Sequence, residues 1–189
     1  MEIFANEYIN KHIIRIKMPY VCAYIIKGND RAVLIDTGFG YGDLRSYVES
    51  LIELPYDVIA THGHPDHIGG NMQWNRAFLP EKEVHLEAYG GKVSTRHLIM
   101  NRVMKKEGLY FDKESFLPYK KINYMLYNEF DEFNLGGITL IPIHLPGHTQ
   151  GIMTFLIPEL KTLLTGDACS NPTYSMWNLV QRLKNFDMH

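Results

Sequence analysis

A cluster of three histidines within six residues, at His62, His64 and His67, constrains this chain more than any other feature. Imidazoles crowded together in a β-rich chain need polar partners, because a buried polar group without one costs free energy. The apolar stretch 58–61 directly precedes the cluster and predicts a strand that ends where the histidines begin. Because alternate residues of an extended chain point to one side, His62 and His64 can bind one metal ion between them.

The residues around this cluster extend it into a pattern for two metal ions. Asp66 and His67 follow a bend that a glycine and a proline permit, so they can face a second ion. Two later residues each follow a predicted strand: His148 is a candidate third imidazole for the first ion, and Asp167 a candidate bridge between the ions. A ligand set of imidazole and carboxylate without thiolate suits zinc, and also iron or manganese.

The composition is that of an ordinary globular protein and excludes several functional classes. The chain has 189 residues, of which 46% are hydrophobic and 21% charged, and its formal net charge is −2. A nearly neutral chain has no general electrostatic reason to bind nucleic acid or an anionic membrane. No apolar run approaches the roughly 20 residues of a membrane helix, and the N-terminus has no signal-peptide pattern. With two cysteines pointing to a reducing compartment, we expect a cytoplasmic protein without nucleic-acid or membrane partners.

Hydrophobic patterning predicts strands towards both ends of the chain, with helices between and after them. We expect strands over residues 13–18, 21–27, 32–36, 58–61, 84–86, 138–145, 152–157 and 162–166. Asp43 predicts the start of a helix that continues to about residue 54, and another helix is expected over about 174–186. This order is typical of an α+β or layered α/β sandwich, in which two sheets are each covered by helices.

The stretch from about residue 88 to 130 differs from the rest of the chain. It is rich in Lys, Glu, Tyr and Met, and its apolar residues recur at helical spacing around Val93 and Met100. We therefore expect one domain over residues 1–189 with a helical insertion at about 88–130. The insertion is interpreted either as a lid over a site or as a solvated helical pair without a functional role.

The histidine-rich run 62–70 and three further motifs together resemble the metallo-β-lactamase superfamily. They occur in the family's order as Asp36-Thr37-Gly38, the run 62–70, Pro146-Gly147-His148-Thr149 with Gly151, and Gly166-Asp167. The resemblance implies a four-layer αβ/βα sandwich with the metal site at one edge of the two sheets. It implies a first ion held by His62, His64 and His148. It also implies a second ion held by Asp66 and His67, with Asp167 as the bridge and Asp36 orienting a ligand-bearing loop.

The resemblance also implies an enzymatic activity. It suggests a hydrolase of the glyoxalase II-like branch with two zinc ions, acting on a small acyl substrate such as an ester, thioester or lactone. Asp66 would be the catalytic residue that orients the attacking hydroxide and accepts a proton. A cysteine at the bridging position would instead resemble the antibiotic-degrading lactamases, but Asp167 holds that position here.

The C-terminus departs from the family pattern. The family places a further histidine for the second metal on a strand after the last helix, whereas the helix expected at 174–186 is followed only by Asp187-Met188-His189. We therefore expect an incomplete C-terminal part, a second metal site that lacks one ligand, and an open sheet edge that favours a homodimer.

Two alternatives stay open, and four histidines are set aside. The chain can be a degenerate metal-binding scaffold of the same fold with little activity, or a nuclease of the same superfamily. The remaining histidines considered are interpreted as structural, and they are His12, His85, His97 and His144. His144 is the least secure of these assignments, because it lies four residues before His148.

Overall fold

The computed structural model describes residues 3–169. Its strands are β1 Ala5–Tyr8, β2 Ile13–Lys17, β3 Cys22–Lys27, β4 Ala32–Ile35, β5 Tyr56–Ile59, β6 Arg76–Pro80, β7 Asn123–Tyr127, β8 Phe133–Asn134, β9 Thr139–His144, β10 Met153–Ile157 and β11 Thr162–Leu164. Its α-helices are α1 Leu44–Leu51, α2 Pro65–Ile68, α3 Glu87–Gly90 and α4 Val93–Met104. Short 3-10 helices at Glu81–Leu86 and Gly166–Cys169 lie near the predicted site. Within this part of the chain, no helix has the length and apolar character needed to span a membrane.

The strands form two sheets. One has seven strands in the order β1-β2-β3-β4-β5-β6-β7, and the other has four in the order β11-β10-β9-β8. In the larger sheet β1 to β4 pair antiparallel, whereas β4 to β7 pair parallel. The smaller sheet is antiparallel throughout.

Side-chain alternation along the strands of the larger sheet builds two cores. Ile14 on β2 lies on the outer face, where it belongs to the same buried cluster as Leu44 and Val48 of α1. Its neighbour Ile13 faces the other way and lies in a cluster with Phe155 of the smaller sheet. The two sheets therefore pack face to face with a helix outside the larger one, which confirms the predicted layered sandwich. The helix expected over 174–186 lies outside the described residues.

Most predicted strands and helices match the structure to within two residues, but one predicted strand is absent from its expected position. The carboxylate of Asp43 accepts a hydrogen bond from the backbone N–H of Ser46 at 3.0 Å and caps α1, as expected. No strand lies at 84–86; this stretch is part of the 3-10 helix Glu81–Leu86, and the strand is β6 just before it. The reason is Pro80, which has no N–H to donate to a further ladder bond and so ends the strand.

The predicted helical insertion is helical in its first half. Helices α3 and α4 cover most of residues 87–104, but β7 belongs to the larger sheet, where it pairs parallel with β6. Arg96 of α4 is fully buried, and its guanidinium donates hydrogen bonds to the carbonyl oxygens of Phe39 at 2.9 Å, Gly91 at 3.1 Å and Leu117. These bonds fasten α4 to the glycine-rich loop that follows β4.

Close contact between two loops requires glycine in this region. A Cβ atom added at Gly40, where φ is +70°, would lie 2.0 Å from the carbonyl oxygen of Gly69. Any side chain at position 40 would therefore displace the turn at Gly69, which follows His67. The loop after β4 and the end of the run 62–70 thus lie against each other beside the predicted site.

Candidate metal centre

The predicted ligands meet at one edge of the sandwich, where several strands end. His62 and His64 lie in the loop after β5, and the chain then turns into the short helix α2. All six predicted ligands follow the end of a strand: after β5 come His62, His64, Asp66 and His67, after β9 comes His148, and after β11 comes Asp167. The structure therefore brings together residues that are up to 105 positions apart in the sequence (167 − 62).

Three imidazoles form what we call the histidine cluster: His62, His64 and His148. One ring nitrogen from each lies within 4.8 Å of the others. The ring centroids are 4.6 Å apart for His62 and His64 and 4.7 Å apart for His64 and His148. Nδ1 of His64 and Nε2 of His148 approach to 2.9 Å. These three nitrogens point towards one small volume, as ligands of a single ion would.

The second group combines imidazole with carboxylates, and we call it the mixed cluster: Asp66, His67 and Asp167. Nε2 of His67 lies 3.7 Å from Oδ2 of Asp66 and 3.6 Å from Oδ2 of Asp167. The same carboxylate oxygen of Asp167 is 3.4 Å from Nε2 of His148 in the histidine cluster. Asp167 therefore lies between the two clusters, at the position that a bridging ligand needs.

The hydrogen bonding of two buried nitrogen atoms indicates whether these residues fit a metal ion. Nε2 of His62 and Nε2 of His67 are buried, and neither has a hydrogen-bond partner among residues 3–169. Buried polar atoms of folded proteins are normally paired, so each exception needs an explanation. A neutral imidazole nitrogen is a common ligand of zinc and other transition metals. The donor set and its unpaired nitrogens fit such an ion.

Asp36 orients both of these imidazoles. Its buried carboxylate accepts hydrogen bonds from the backbone N–H of Thr61 at 2.7 Å and from Nδ1 of His67 at 2.8 Å. The Thr61 hydroxyl donates its one hydrogen to Asp36 at 2.9 Å and lies 3.0 Å from Nδ1 of His62. Since that hydroxyl has no second hydrogen, it accepts the N–H of His62 and leaves Nε2 of this ring with a free lone pair.

Two rings of the histidine cluster, those of His62 and His64, favour the neutral form. Burial, followed by the charges of the neighbouring imidazoles, holds the pKa of His62 far below its ordinary value. Burial and His148 also lower the pKa of His64, although the carboxylates of Asp66 and Glu83 oppose this shift. Neutral imidazole is the form that binds a metal ion, so these two rings are prepared for that role at neutral pH.

The mixed cluster has the opposite electrostatic character. Burial acts to lower the pKa of His67, but the carboxylates of Asp36, Asp167 and Asp66 outweigh it and raise this pKa well above its ordinary value. The partnership with His67 in turn lowers the pKa of Asp167, against the effect of burial. The carboxylates therefore favour positive charge at this end of the site.

Glu83 is a residue near the site that sequence reasoning missed. It is fully buried, and its two carboxylate oxygens accept the backbone N–H groups of Gly63 at 2.9 Å and Gly151 at 2.6 Å. It therefore joins the loop that carries His62 and His64 to the loop that carries His148. No sequence signal marks it, because the partners are 20 and 68 residues away and the exposed Glu81 looks the same in the sequence.

His144 belongs to neither cluster. Its Nε2 lies 2.8 Å from the carbonyl oxygen of Gln150, and this contact joins the two ends of the loop that carries His148. His12 similarly has Nδ1 at 2.8 Å from the carbonyl oxygen of Lys27, far along the chain from the site. Both contacts agree with the structural interpretation of these residues.

A cavity of about 600 Å³ opens beside the clusters. Polar side chains that include Asp66, His67 and Asp167 line one part of it, and apolar side chains that include Val21 and Leu163 line another. A cavity that joins a few converging polar groups to an apolar wall is typical of a small-molecule site.

Comparisons with known proteins agree with this geometry. A family model described as the metallo-beta-lactamase superfamily matches residues 20–179, which confirms the resemblance seen in the four motifs. The acyl-coenzyme A thioesterase MBLAC2 of Homo sapiens is 25% identical over 176 residues, covering 86% of this chain and 63% of that protein. The hydroxyacylglutathione hydrolase GloC of Haemophilus influenzae is 28% identical over 150 residues, covering 77% of this chain and 65% of that protein. The chain thus spans less than two thirds of the length of these two relatives.

Solved structures show the same fold. A beta-lactamase domain protein from Burkholderia ambifaria superposes with a TM-score of 0.60 at 18% sequence identity, covering 86% of this chain and 55% of that one. A metallo-beta-lactamase from Cronobacter sakazakii superposes with a TM-score of 0.58 at 17% identity, covering 84% of this chain and 60% of that one. At these identities the superpositions establish the arrangement of the sheets and helices and leave the substrate open.

Proposed function

The chain belongs to the metallo-beta-lactamase superfamily, and from this premise we propose that it is a metal-dependent hydrolase of small thioesters or related esters. One observation carries the proposal: two groups of converging ligands lie beside a cavity, and within them Nε2 of His62 and Nε2 of His67 are buried without a hydrogen-bond partner among residues 3–169. A buried polar atom without a hydrogen bond is uncommon in a folded protein, and a bound ion would account for both nitrogens.

The two clusters divide the metal ligands between them. His62, His64 and His148 would hold one divalent ion, and Asp66 and His67 would hold a second, with Asp167 between them. Nitrogen and oxygen ligands of this kind favour zinc. When bound, such an ion supplies Lewis acidity, which polarises a carbonyl oxygen and lowers the pKa of water to about 7.

Asp66 is the proposed catalytic residue. Its side chain lines the cavity and is 13% exposed, so it can reach a water molecule that lies beside the substrate. The carboxylate would accept a hydrogen bond from that water molecule and take its proton as the oxygen attacks the acyl carbon. The bond between the acyl carbon and sulfur then breaks, and the proton held by Asp66 passes to the departing sulfur, so the products are a carboxylic acid and a thiol. His67 is less suited to this task, because its Nδ1 already donates to Asp36.

The lining of the cavity supports an acyl substrate. Its volume of about 600 Å³ lies within the range of about 300–1,000 Å³ of ordinary ligand pockets. Val21, Ile35 and Leu163 give it an apolar wall against which an acyl group can pack. Burial of such a group would also exclude water from the reacting bond.

A neighbouring depression supports a thioester with an anionic carrier. Tyr20 lines both the cavity and a second depression of about 580 Å³. Two lining side chains of this depression are cationic, Arg102 and Lys106, against one carboxylate, Glu107. The names of both relatives describe thioesters whose carriers, coenzyme A and glutathione, are anionic. A substrate spanning both depressions would place its acyl part at the metal centre and its carrier near Arg102.

The test is a hydrolysis assay on the purified chain loaded with zinc. The panel contains an acyl-coenzyme A, a hydroxyacylglutathione, a lactone and a single-stranded RNA, each measured with and without a chelator. We expect thioester hydrolysis that the chelator abolishes and added zinc restores, and that His64→Ala lacks. His85→Ala is the matched control, because His85 is exposed and belongs to neither ligand group.

Other outcomes of this assay would contradict the proposal. Bound zinc without hydrolysis of any ester would favour a metal-binding scaffold of the same fold. Cleavage of the RNA alone would favour a nuclease. Thioester hydrolysis that continues in the chelator would separate the activity from the metal site.

A further inference from the structure

Glu83 joins the two loops that carry the histidine cluster. One oxygen of its carboxylate accepts the N–H of Gly63, which lies between His62 and His64, at 2.9 Å. The other accepts the N–H of Gly151, three residues after His148, at 2.6 Å. The two bonds thus fix the separation between the loop of two imidazoles and the loop of the third.

The packing around Glu83 leaves little room for these loops to shift. A Cβ atom added at Gly151 would lie 2.6 Å from Oε1 of Glu83, and one added at Gly63 would lie 2.7 Å from Cβ of Leu86. At Gly63 and Gly151, both loops therefore pack against the 3-10 helix Glu81–Leu86 through backbone atoms, because a side chain at either position would clash. This close approach brings both amides within reach of one carboxylate.

The charge of Glu83 has no local counterpart in the protein. The side chain is 0% exposed, and among residues 3–169 no Lys or Arg forms an ion pair with it. A buried carboxylate is costly unless hydrogen bonds and a nearby positive charge offset its desolvation. Two N–H donors supply the hydrogen bonds, and a divalent ion in the adjacent histidine cluster would supply the charge.

We propose that Glu83 is a positioning residue that clasps the His62–His64 loop to the His148 loop and thereby raises the metal affinity of the histidine cluster. This inference rests on the metal site of the proposed function. It assigns to Glu83 a role that acts through the ligands, since the carboxylate bonds the backbone beside them and touches no substrate. Metal binding and the clasp then stabilise each other, because linkage between two events is reciprocal.

The first test compares the zinc affinity of Glu83→Gln with that of the wild-type chain. Glutamine keeps the shape but turns one acceptor into an N–H₂ donor that faces a backbone N–H, and it removes the charge. Competition with a chromophoric chelator should show zinc bound to the histidine cluster about 10- to 100-fold more weakly, the usual effect of losing a residue that supports a ligand. Glu81→Gln, an exposed position in the same 3-10 helix, should match the wild type.

Cobalt substitution gives a readout that a general loss of stability would not change. The visible spectrum of the Co²⁺-loaded chain reports the geometry of the ligands. We expect Glu83→Gln to change this spectrum at saturating cobalt, while Glu81→Gln leaves it unchanged. Glu83→Asp, which keeps the charge but is too short to hold both amides in place, should give an intermediate zinc affinity.

A measurement on the unaltered chain keeps the inference testable if Glu83→Gln does not fold. The amide hydrogens of Gly63 and Gly151 should exchange more slowly, and by similar factors, when zinc is added. Unchanged exchange at both amides, or equal zinc affinity in Glu83→Gln and wild type, would overturn the role of Glu83 alone. A wild-type chain that binds no zinc would overturn the proposed function as well.

Discussion

The histidine cluster and the mixed cluster share one edge of the sandwich but differ in chemistry. Burial lowers the pKa values of His62 and His64, so these two imidazoles of the histidine cluster offer neutral nitrogen atoms. In the mixed cluster, by contrast, carboxylates raise the pKa of His67 against the effect of burial. The first group depends on lone pairs to bind a cation, and the second depends on negative charge.

The clusters also differ in the support that holds them. The histidine cluster draws on two loops that Glu83 joins through backbone hydrogen bonds. The mixed cluster draws on α2, fastened by Asp36 through Nδ1 of His67, and on the turn after β11. We infer that metal affinity in the first group depends mainly on the distance between loops, beside the orientation that Asp36 gives His62 through Thr61, and in the second on the orientation of His67.

The largest expected effect comes from removing an imidazole of the histidine cluster. His62→Ala or His64→Ala should abolish zinc binding at this cluster and reduce thioester hydrolysis to the level of the metal-free chain. The reason is that two imidazoles cannot complete the three-nitrogen site. Elemental analysis and the hydrolysis assay measure the two effects, and full activity in either variant would show that this cluster is not the catalytic metal site.

A smaller expected effect separates the clusters from each other. Asp167→Asn removes the negative charge 3.6 Å from Nε2 of His67 while leaving all three imidazoles of the histidine cluster in place. We expect zinc titration of this variant to retain the tighter equivalent and lose the weaker one. Loss of both equivalents would show that the clusters form one inseparable site.

Asp36→Asn should weaken the mixed cluster without emptying it. The new amide group would set an N–H₂ donor against either the N–H of Thr61 or Nδ1–H of His67, so one buried donor loses its acceptor. We expect zinc affinity at the mixed cluster to fall about 10- to 100-fold. The free energy of unfolding of the metal-free chain should fall by about 1–3 kcal/mol, as urea denaturation would show. If the variant and the wild-type chain bind zinc equally well at the mixed cluster, the hydrogen bond from His67 to Asp36 does not determine the orientation of His67.

The smallest expected effect is at His144, the histidine nearest to His148 in sequence outside the clusters. His144→Ala removes the contact with the carbonyl oxygen of Gln150 and should cost about 1 kcal/mol of unfolding free energy or less. Metal content should stay unchanged, because His144 belongs to neither ligand group. A loss of zinc from this variant would show that the imidazole near the Pro-Gly-His-Thr loop was wrongly assigned.

Many strands and helices of the fold could be predicted from the sequence, because the patterns that indicate them lie within a few neighbouring residues. Alternating apolar residues fixed β2 and β3 within one residue of their observed ends, and Asp43 marked the start of α1. The strand β6 was missed in favour of 84–86, since its identity depends on parallel pairing with β5 and β7, which no local pattern records.

The site divides in the same way between local and long-range information. Its six predicted ligands carry recognisable side chains in short motifs, and the structure brings them together. The residues that support the ligands are different. Glu83 bonds a backbone N–H and Thr61 lies against an imidazole, and neither residue type at these positions forms part of a recognisable sequence motif. Folding selects them from many similar residues, which is why sequence reasoning passed over Glu83.

The most direct test of the difference between the clusters is a zinc titration of the wild-type chain, followed by calorimetry, beside the same titration of His64→Ala and Asp167→Asn. We expect two equivalents of unequal affinity in the wild-type chain. The tighter one should disappear in His64→Ala and the weaker one in Asp167→Asn. A single equivalent that both substitutions abolish, or a wild-type chain that binds no zinc, would contradict the assignment of two distinct metal sites.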